Sequence, residues 1–324
     1  MGEMIELGNK TVLVTGASGL IGAAVVDALL TSGAKVIAAG RSISRLKEKL
    51  GDRDGLSFLE YDATRQNEFS FIVDAMVLAA SPASPDLFIS KPVDVMLANT
   101  VAVNELLDYA VRTKVSKVVY VSSSEVYGKM TPPETGFTEE HFGEIDISNP
   151  RNSYSESKRA AELLCVSYAK QYGLDVSIVR PGHIYGPTAA KTDKRVSSLW
   201  PRMAANGEDI VMKSDGAQLR SYVHCADCAS AILTVLQKGR PAEAYNISNR
   251  DSVVTIRQLA EVICKSAGVQ LRMEIPSEGE KKAFNPMSNS SLDAWKLEAL
   301  GWSARYGIES GVADTINEFK GKCY

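Results

Sequence analysis

The sequence predicts a doubly wound α/β fold, in which a parallel sheet is covered by helices on both faces. Three observations predict it. Short apolar runs of strand length alternate with stretches of helical length through the first half of the chain. The first strand runs straight into a glycine-rich turn that opens a helix. The chain is 324 residues long, enough to bury a substantial core, and has no internal repeat, low-complexity segment or long linker.

The elements follow in order. Lys10 to Thr15 reads as a short buried strand centred on Val12–Thr15, and Gly16-Ala17-Ser18-Gly19-Leu20-Ile21-Gly22 follows at once. The apolar run Ile21–Leu30 has helical length, with Gly33 as its stop. Further strands are expected at Lys35–Ala39, Leu56–Tyr61, Ala75–Ala79, Lys117–Ser122 and Val176–Arg180, and helices at Asn99–Arg112 and Ser155–Tyr172. From Pro181 the regularity loosens. Pro187 to Arg195 is polar and loop-like, whereas Val253–Ala267 and Leu292–Leu300 read as helical. The expected organisation is a large unit over residues 1–180 and a smaller one over 181–324, partly interleaved with it.

Composition narrows the function. Lys and Arg number 36 against 39 Asp and Glu, a net charge of −3 with no basic block, so no nucleic-acid partner is expected. No apolar run approaches a membrane span and the N-terminus lacks signal-peptide regions; no membrane association and a cytoplasmic location are the expectations. Five cysteines, Cys165, Cys225, Cys228, Cys264 and Cys323, form an odd, scattered set that suits reduced thiols. Cys225 and Cys228 have C-x-x-C spacing without a second ligand pair, and read as thiols packed at a helix start. His141 and His224 have no supporting constellation, and no cluster has metal-ligand spacing, so no metal is expected.

Two stretches point to chemistry. A strand, glycine turn and helix make an anion site, where N–H groups at the helix start hold a pyrophosphate and glycines let it approach the backbone. Gly16, Ser18, Gly19, Leu20, Ile21 and Gly22 are the candidate contacts, at G-x-x-G-x-x-G spacing. The second strand ends Ala38-Ala39-Gly40-Arg41-Ser42, without the acidic residue that binds ribose hydroxyls. Arg41 stands where it could grip a 2′-phosphate or lie over an adenine face. The expected cofactor is therefore NAD(P), leaning to NADP with NAD still open. Tyr154 and Lys158 lie four residues apart on one helix face. An ammonium beside a phenol favours phenolate, so the Tyr154 pKa is expected to fall from about 10, which makes Tyr154 a candidate general base.

With Val121-Ser122-Ser123-Ser124-Glu125-Val126-Tyr127-Gly128 and Arg180-Pro181-Gly182-His183-Ile184-Tyr185-Gly186-Pro187, these stretches resemble an extended short-chain dehydrogenase/reductase of the nucleotide-sugar epimerase/dehydratase group. The likeness runs from about Lys10 to the Leu300-Gly301-Trp302 segment. It implies a Rossmann-like cofactor domain, a smaller C-terminal substrate-binding region and a homodimer built on Asn99–Arg112 and the helix after Tyr154. It implies that Ser123 orients the reacting hydroxyl and that Lys158 also binds the nicotinamide ribose. It places Asp62 and Ala63 at the adenine, and Ala79 and Ala80 beside the cofactor. Ser122 and Ser124 should alternate with Ser123 along a strand and face away.

Glu125 discriminates within the group. Once C4 of a sugar is a ketone, the C5 proton is acidic and a carboxylate in reach can remove it; the alternative is a structural glutamate in a turn. Ala80-Ser81-Pro82-Ala83-Ser84-Pro85, Arg195-Val196-Ser197-Ser198 and Gly216-Ala217-Gln218-Leu219-Arg220-Ser221-Tyr222 resemble UDP-glucuronate decarboxylases, with sugar 4,6-dehydratases also close in motif. The resemblance implies that Ser84, Arg195 and Arg220 contact the substrate, Arg220 by holding a diphosphate. Two departures stand out. His183 replaces the usual Asn at a diphosphate contact, and Met287-Ser288-Asn289-Ser290-Ser291-Leu292-Asp293 lacks a late arginine. The implied reaction is oxidation of a sugar hydroxyl at C4, followed by epimerisation, dehydration or decarboxylation. An NADP-linked reductase of a non-nucleotide carbonyl and a non-catalytic dinucleotide sensor are the other readings, and the intact Ser123, Tyr154 and Lys158 argue against the sensor.

Overall fold

The computed structural model describes residues 6–65, 67, 69, 71–130, 136–275 and 288–321. Cys323, Met287 and residues 1–5, each of which entered the sequence reading, lie outside them. The sheet is built from β1 (Thr11–Thr15), β2 (Lys35–Gly40), β3 (Leu56–Glu60), β4 (Ala75–Leu78), β5 (Lys117–Val121) and β6 (Val176–Pro181). Apart from the half-buried edge strand β3, these strands are rich in Val, Ile and Ala and nearly continuous in burial, as a sheet covered on both faces requires. A seventh strand, Ala244–Ile247, pairs parallel with β6 at the far edge. The order is 3-2-1-4-5-6 followed by this last strand, with every pairing parallel. Chain direction switches sides between β1 and β4, where such sheets open a crevice at their carboxyl ends.

Two helical layers cover the sheet. On one face α1 (Leu20–Thr31) lies beside the helix Cys225–Lys238, and Val25, Leu29, Ile232 and Val235 bury there. Leu46 and Leu50 of α2 (Ile43–Leu50) join this layer, while on the other face α3 (Pro85–Ser90) precedes two long helices, α4 (Pro92–Thr113) and α5 (Ser153–Tyr172). Leu106 and Leu107 of α4 and Ala161 and Cys165 of α5 share one core with Leu13, Met76 and Val118 of the sheet. Helix α4 begins at Pro92, well before the Asn99 that periodicity suggested. Pro92 fits the first helical turn because no N–H partner is needed there.

The later part of the chain adds β7 (His183–Tyr185), α6 (Val196–Ala205), β8 (Ile210–Met212), β9 (Leu219–His224), α7 (Cys225–Lys238) and β10 (Ala244–Ile247). Beyond these lie β11 (Val253–Thr255), α8 (Ile256–Ala267), β12 (Leu271–Met273), β13 (Asn289–Ser290), α9 (Trp295–Glu298) and α10 (Ile308–Gly321). Strand β9 is the centre of a small sheet, paired with β7, β11 and β13. Trp200, Ile263 and Ile316 from α6, α8 and α10 pack a separate core.

Two expected helices differ from the structure. Val253–Ala267 splits into β11 and α8, because Thr255 caps α8 by accepting from Gln258 N–H while Gln258 reaches back to Thr255 N–H. Of Leu292–Leu300 only Trp295–Glu298 is helical; the Asp293 carboxylate accepts from Trp295 N–H and starts it. Cys225 and Cys228 open α7 and are buried, as packed thiols should be. Among the described residues no helix is long and apolar enough to cross a membrane, and no group of three His, Cys, Asp or Glu side chains is placed to hold a metal ion.

Candidate active site

The glycine turn is shaped by close approach. Gly16 has φ +68°, and a Cβ there would lie 2.8 Å from the Ala79 carbonyl oxygen. A Cβ on Gly22 would lie 2.2 Å from Gly16 O. Neither position admits a side chain without moving backbone. Gly19 is the N-cap of α1 and supplies no side-chain acceptor, so the first-turn N–H groups of Leu20, Ile21 and Gly22 face no capping oxygen from it. Ser18 and Gly19 are exposed at the mouth of the turn. This is the cradle a pyrophosphate needs, and the residues fit a dinucleotide.

Beyond β2, Arg41 is exposed and Ser42 caps α2 by accepting from Arg45 N–H. Asp62, followed by Ala63, lies past β3. Partial burial works against its ionisation, but hydrogen bonds from Thr64 N–H and hydroxyl, together with the charges of Arg65 and Arg41, hold its carboxyl below the usual range. Arg41 and Asp62 thus lie within reach of each other's charge, past the ends of β2 and β3.

The loop after β4 bridges the glycine turn to Tyr154. The Thr15 hydroxyl, at the end of β1, accepts from Ala79 N–H and Ala80 N–H, both at 3.1 Å. The next residue, Ser81, donates to Asn99 Oδ1 at 2.8 Å and also lies beside the Tyr154 phenol. Asn99, fully buried on α4, donates to Ser157 Oγ, which donates to Tyr154 O. Phe88 of α3 stacks on the Tyr154 ring, centroids 4.4 Å apart and planes 13° apart. Thr15, Ser81, Asn99 and Phe88 were not individual sequence candidates for this site, Ser81 entering only within the stretch of residues 80–85. A hydroxyl ending an apolar strand and an Asn on the apolar face of a helix are the signals that mark the first and third.

Three consecutive residues at the end of β5 and just past it meet successive turns of α5. Ser123 Oγ hydrogen-bonds with the Tyr154 side chain, Val121 O accepts from Lys158 Nζ at 2.8 Å, and Ser122 Oγ donates to Glu162 at 2.6 Å. Ser122 turns away from Ser123 as expected. Ser124 lies in a 3-10 turn, Ser124–Tyr127, and not on a strand. Glu125 shares that turn: its carboxylate accepts from Ser155 Oγ at 3.1 Å, and its N–H donates to Ser123 Oγ.

One expectation is corrected. Lys158 does not bring the Tyr154 phenol down in this state. Burial first, then the Glu125 carboxylate, push it up to about 12, against the hydrogen bonds of Ser123 and Ser81 and the charge of Arg195. Lys158 is itself buried, which pulls its ammonium down to about 7, and its Nζ is turned to Val121 O, 5.8 Å from the Tyr154 ring centroid. The shared helix face is there; the close ammonium–phenol contact is not.

On the other side of the centre stand the substrate candidates. Arg195 is the N-cap of α6 and is held bidentately by Asp193, at 3.0 and 2.6 Å. Its charge reaches both Tyr154 and His183. His183 on β7 sits opposite Tyr222 of β9, rings 5.7 Å apart, and among the described residues its buried Nδ1 finds no hydrogen-bond partner. Burial, then Arg220 and Arg195, hold His183 neutral, with its pKa down at about 3. Arg220 is 3% exposed and borders a cavity of about 250 Å³ lined also by Val196, Trp200, Met212, Lys213 and Gln218. Ser290, within the stretch that lacks the late arginine, stands in register beside Arg220, and among the described residues its buried Oγ finds no partner. Ser84, by contrast, is exposed at the N-cap of α3 and makes no cap bond. A larger cavity of about 360 Å³, between Thr138, Tyr245 and Lys296, touches none of the candidate residues.

A parallel sheet with a glycine cradle at its switch point, a Tyr–Lys pair on α5 and a Ser facing it from just past the end of β5 defines a dinucleotide-dependent oxidoreductase fold. Residues 12–248 match the NAD dependent epimerase/dehydratase family, and the chain belongs to it. It is 27% identical over 320 residues to UDP-glucuronic acid decarboxylase 1 of Xenopus tropicalis, covering 97% of this chain and 73% of that protein. It is 26% identical over 331 residues to dTDP-D-glucose 4,6-dehydratase of Mus musculus, covering 96% and 89%. The solved dTDP-glucose 4,6-dehydratase of Streptomyces venezuelae, which has NAD bound, superposes with a TM-score of 0.79 at 27% identity, over 96% of this chain and 97% of that one.

Proposed function

We propose that this chain binds NAD(P) and oxidises a hydroxyl of a nucleotide sugar, at C4, to a keto intermediate that then epimerises, loses water or loses carbon dioxide. The observation that supports it most is the bridge from Gly16 through Ala79, Ala80 and Ser81 to Tyr154, which joins the cofactor cradle to a hydroxyl-bearing base. In this reading residues 1–180 serve the cofactor and 181–324 mainly the substrate. Ser123 orients the sugar hydroxyl and Tyr154 takes its proton. Lys158 holds positive charge behind the phenol and Glu125 takes the proton at C5. His183, Arg195 and Arg220 face the substrate's anionic end. A nicotinamide dinucleotide held by its pyrophosphate at the cradle would supply the hydride acceptor, and its positive ring would favour the phenolate. The test is a panel of UDP- and dTDP-sugars added to the cofactor-loaded protein. A transient reduced-nicotinamide absorbance with at least one sugar is expected, and silence across the panel would sink the reading.

Arg41 is proposed to hold a 2′-phosphate. NADP should then bind more tightly than NAD, and Arg41→Ala should erase most of the difference, about 1.5–3 kcal/mol for a charge-assisted contact. Calorimetric titration giving equal affinities, or tighter NAD, would rule it out.

A homodimer is the second partner proposal. Val93, Leu97 and Val101 repeat every four residues along α4 and are 65%, 47% and 50% exposed. Leu163 and Val166 of α5 are exposed as well. An apolar stripe on two adjacent helices is the surface a second copy would cover. Light scattering should give twice the 35.0 kDa monomer at micromolar concentration; a monomer alone would defeat the proposal.

A further inference from the structure

We propose that Glu162, restrained by Arg180, holds Lys158 in its charged form and so acts as a positioning residue for the Tyr154 centre. Its bearing on turnover rests on the function proposed for the same site. Tyr154, Lys158 and Glu162 are spaced by four residues along α5 and share one face. The ammonium and the carboxylate are pinned by consecutive residues, Lys158 by Val121 O and Glu162 by Ser122 Oγ. Arg180, at the end of β6, grips both carboxylate oxygens, Nε at 3.0 Å and a terminal nitrogen at 2.7 Å, and also donates to Tyr127 OH and Glu139 O.

The other ionisable groups around Lys158 carry no negative charge near neutral pH. Tyr154 and Cys165 lie on its own helix, and Tyr120 comes from β5, its ring centroid 4.8 Å from Nζ. Burial keeps all three protonated. Glu162 is therefore the anion that opposes the loss of the Lys158 proton to burial. Arg180 limits that effect, because a bidentate guanidinium spreads much of the carboxylate charge. The two residues consequently act on Lys158 with opposite signs.

The test is a pH titration of the Lys158 side chain by NMR, using full-length, cofactor-free protein with labelled lysine Cε; Lys158→Met assigns the resonance. Glu162→Gln should lower the Lys158 pKa by about one unit, the usual effect of losing an opposite charge nearby. Arg180→Gln should raise it. Glu162→Gln leaves a buried guanidinium unpaired, and if that protein does not fold, Arg180→Gln and the charge-free double variant carry the test. The double variant should titrate below Arg180→Gln. Unchanged titration in the folded variants, or a shift of both single variants in the same direction, would overturn the proposal. No substrate enters this measurement, so a protein inactive on every sugar but showing the opposite shifts would sink the proposed function and leave this inference standing.

Discussion

Tyr154→Phe should fold normally and lose turnover by about 10²–10⁴-fold, the usual scale for removing a general base. The substitution keeps the ring stacked on Phe88 at 4.4 Å and deletes only the hydroxyl beside Ser123 and Ser81. The hydroxyl's hydrogen bonds with Ser123 and Ser81 contribute about 0.5–1.5 kcal/mol each, while the ring packing on Phe88 is kept, so the fold should survive. Thermal unfolding beside steady-state turnover separates the two effects. A folded variant with near-normal turnover would remove Tyr154 from the chemistry, whatever its place in the fold.

Glu125→Gln should separate the oxidation step from the later steps of the reaction. Ser123, Tyr154 and Lys158 remain, so substrate should still reduce the bound cofactor. Without a carboxylate to take the C5 proton the variant should stall, accumulating reduced nicotinamide and a keto sugar. The loss of overall turnover should again be about 10²–10⁴-fold. Single-turnover absorbance distinguishes the outcomes. Failure to reduce cofactor would place Glu125 in the first step or in folding. Normal turnover would make it a turn residue held by Ser155 and favour simple C4 inversion.

The sheet was legible because buried parallel strands write themselves as uninterrupted apolar runs. Each of the six strands read from the sequence falls within a residue of its observed bounds. The seventh, Ala244–Ile247, was not legible. It is four residues long, and its place beside β6 follows from the packing of α7, which no local pattern records. The start of α4 was missed for a related reason. Val93, Leu97 and Val101 are apolar but exposed, so the first turns lack the one-sided pattern that marks a helix against a core.

At the site, spacing revealed which residues share a face but not where their ends point. Tyr154 and Lys158 were found by their four-residue interval, yet the direction of the Tyr154 shift was misread. Burial under Phe88 and the Glu125 charge come from distant segments, and Lys158 is drawn away to Val121 O. The same limit hid Thr15, Ser81 and Asn99, whose importance lies in hydrogen bonds made between segments 18 to 65 residues apart. His183 was visible as a departure from a family pattern. Its neutrality was not, because that depends first on burial and then on Arg220 and Arg195 arriving from β9 and the start of α6.

The central claim is that a cofactor held at the Gly16–Gly22 cradle takes hydrogen from C4 of a nucleotide sugar and is regenerated within the same turnover. The most direct measurement uses a nucleotide sugar from the active panel carrying deuterium at C4, with mass spectrometry of the cofactor during and after a single turnover. The account predicts deuterium in the cofactor at early times and unlabelled, fully oxidised cofactor at the end. Cofactor consumed one for one with product, or never labelled from C4 while product forms, would contradict it.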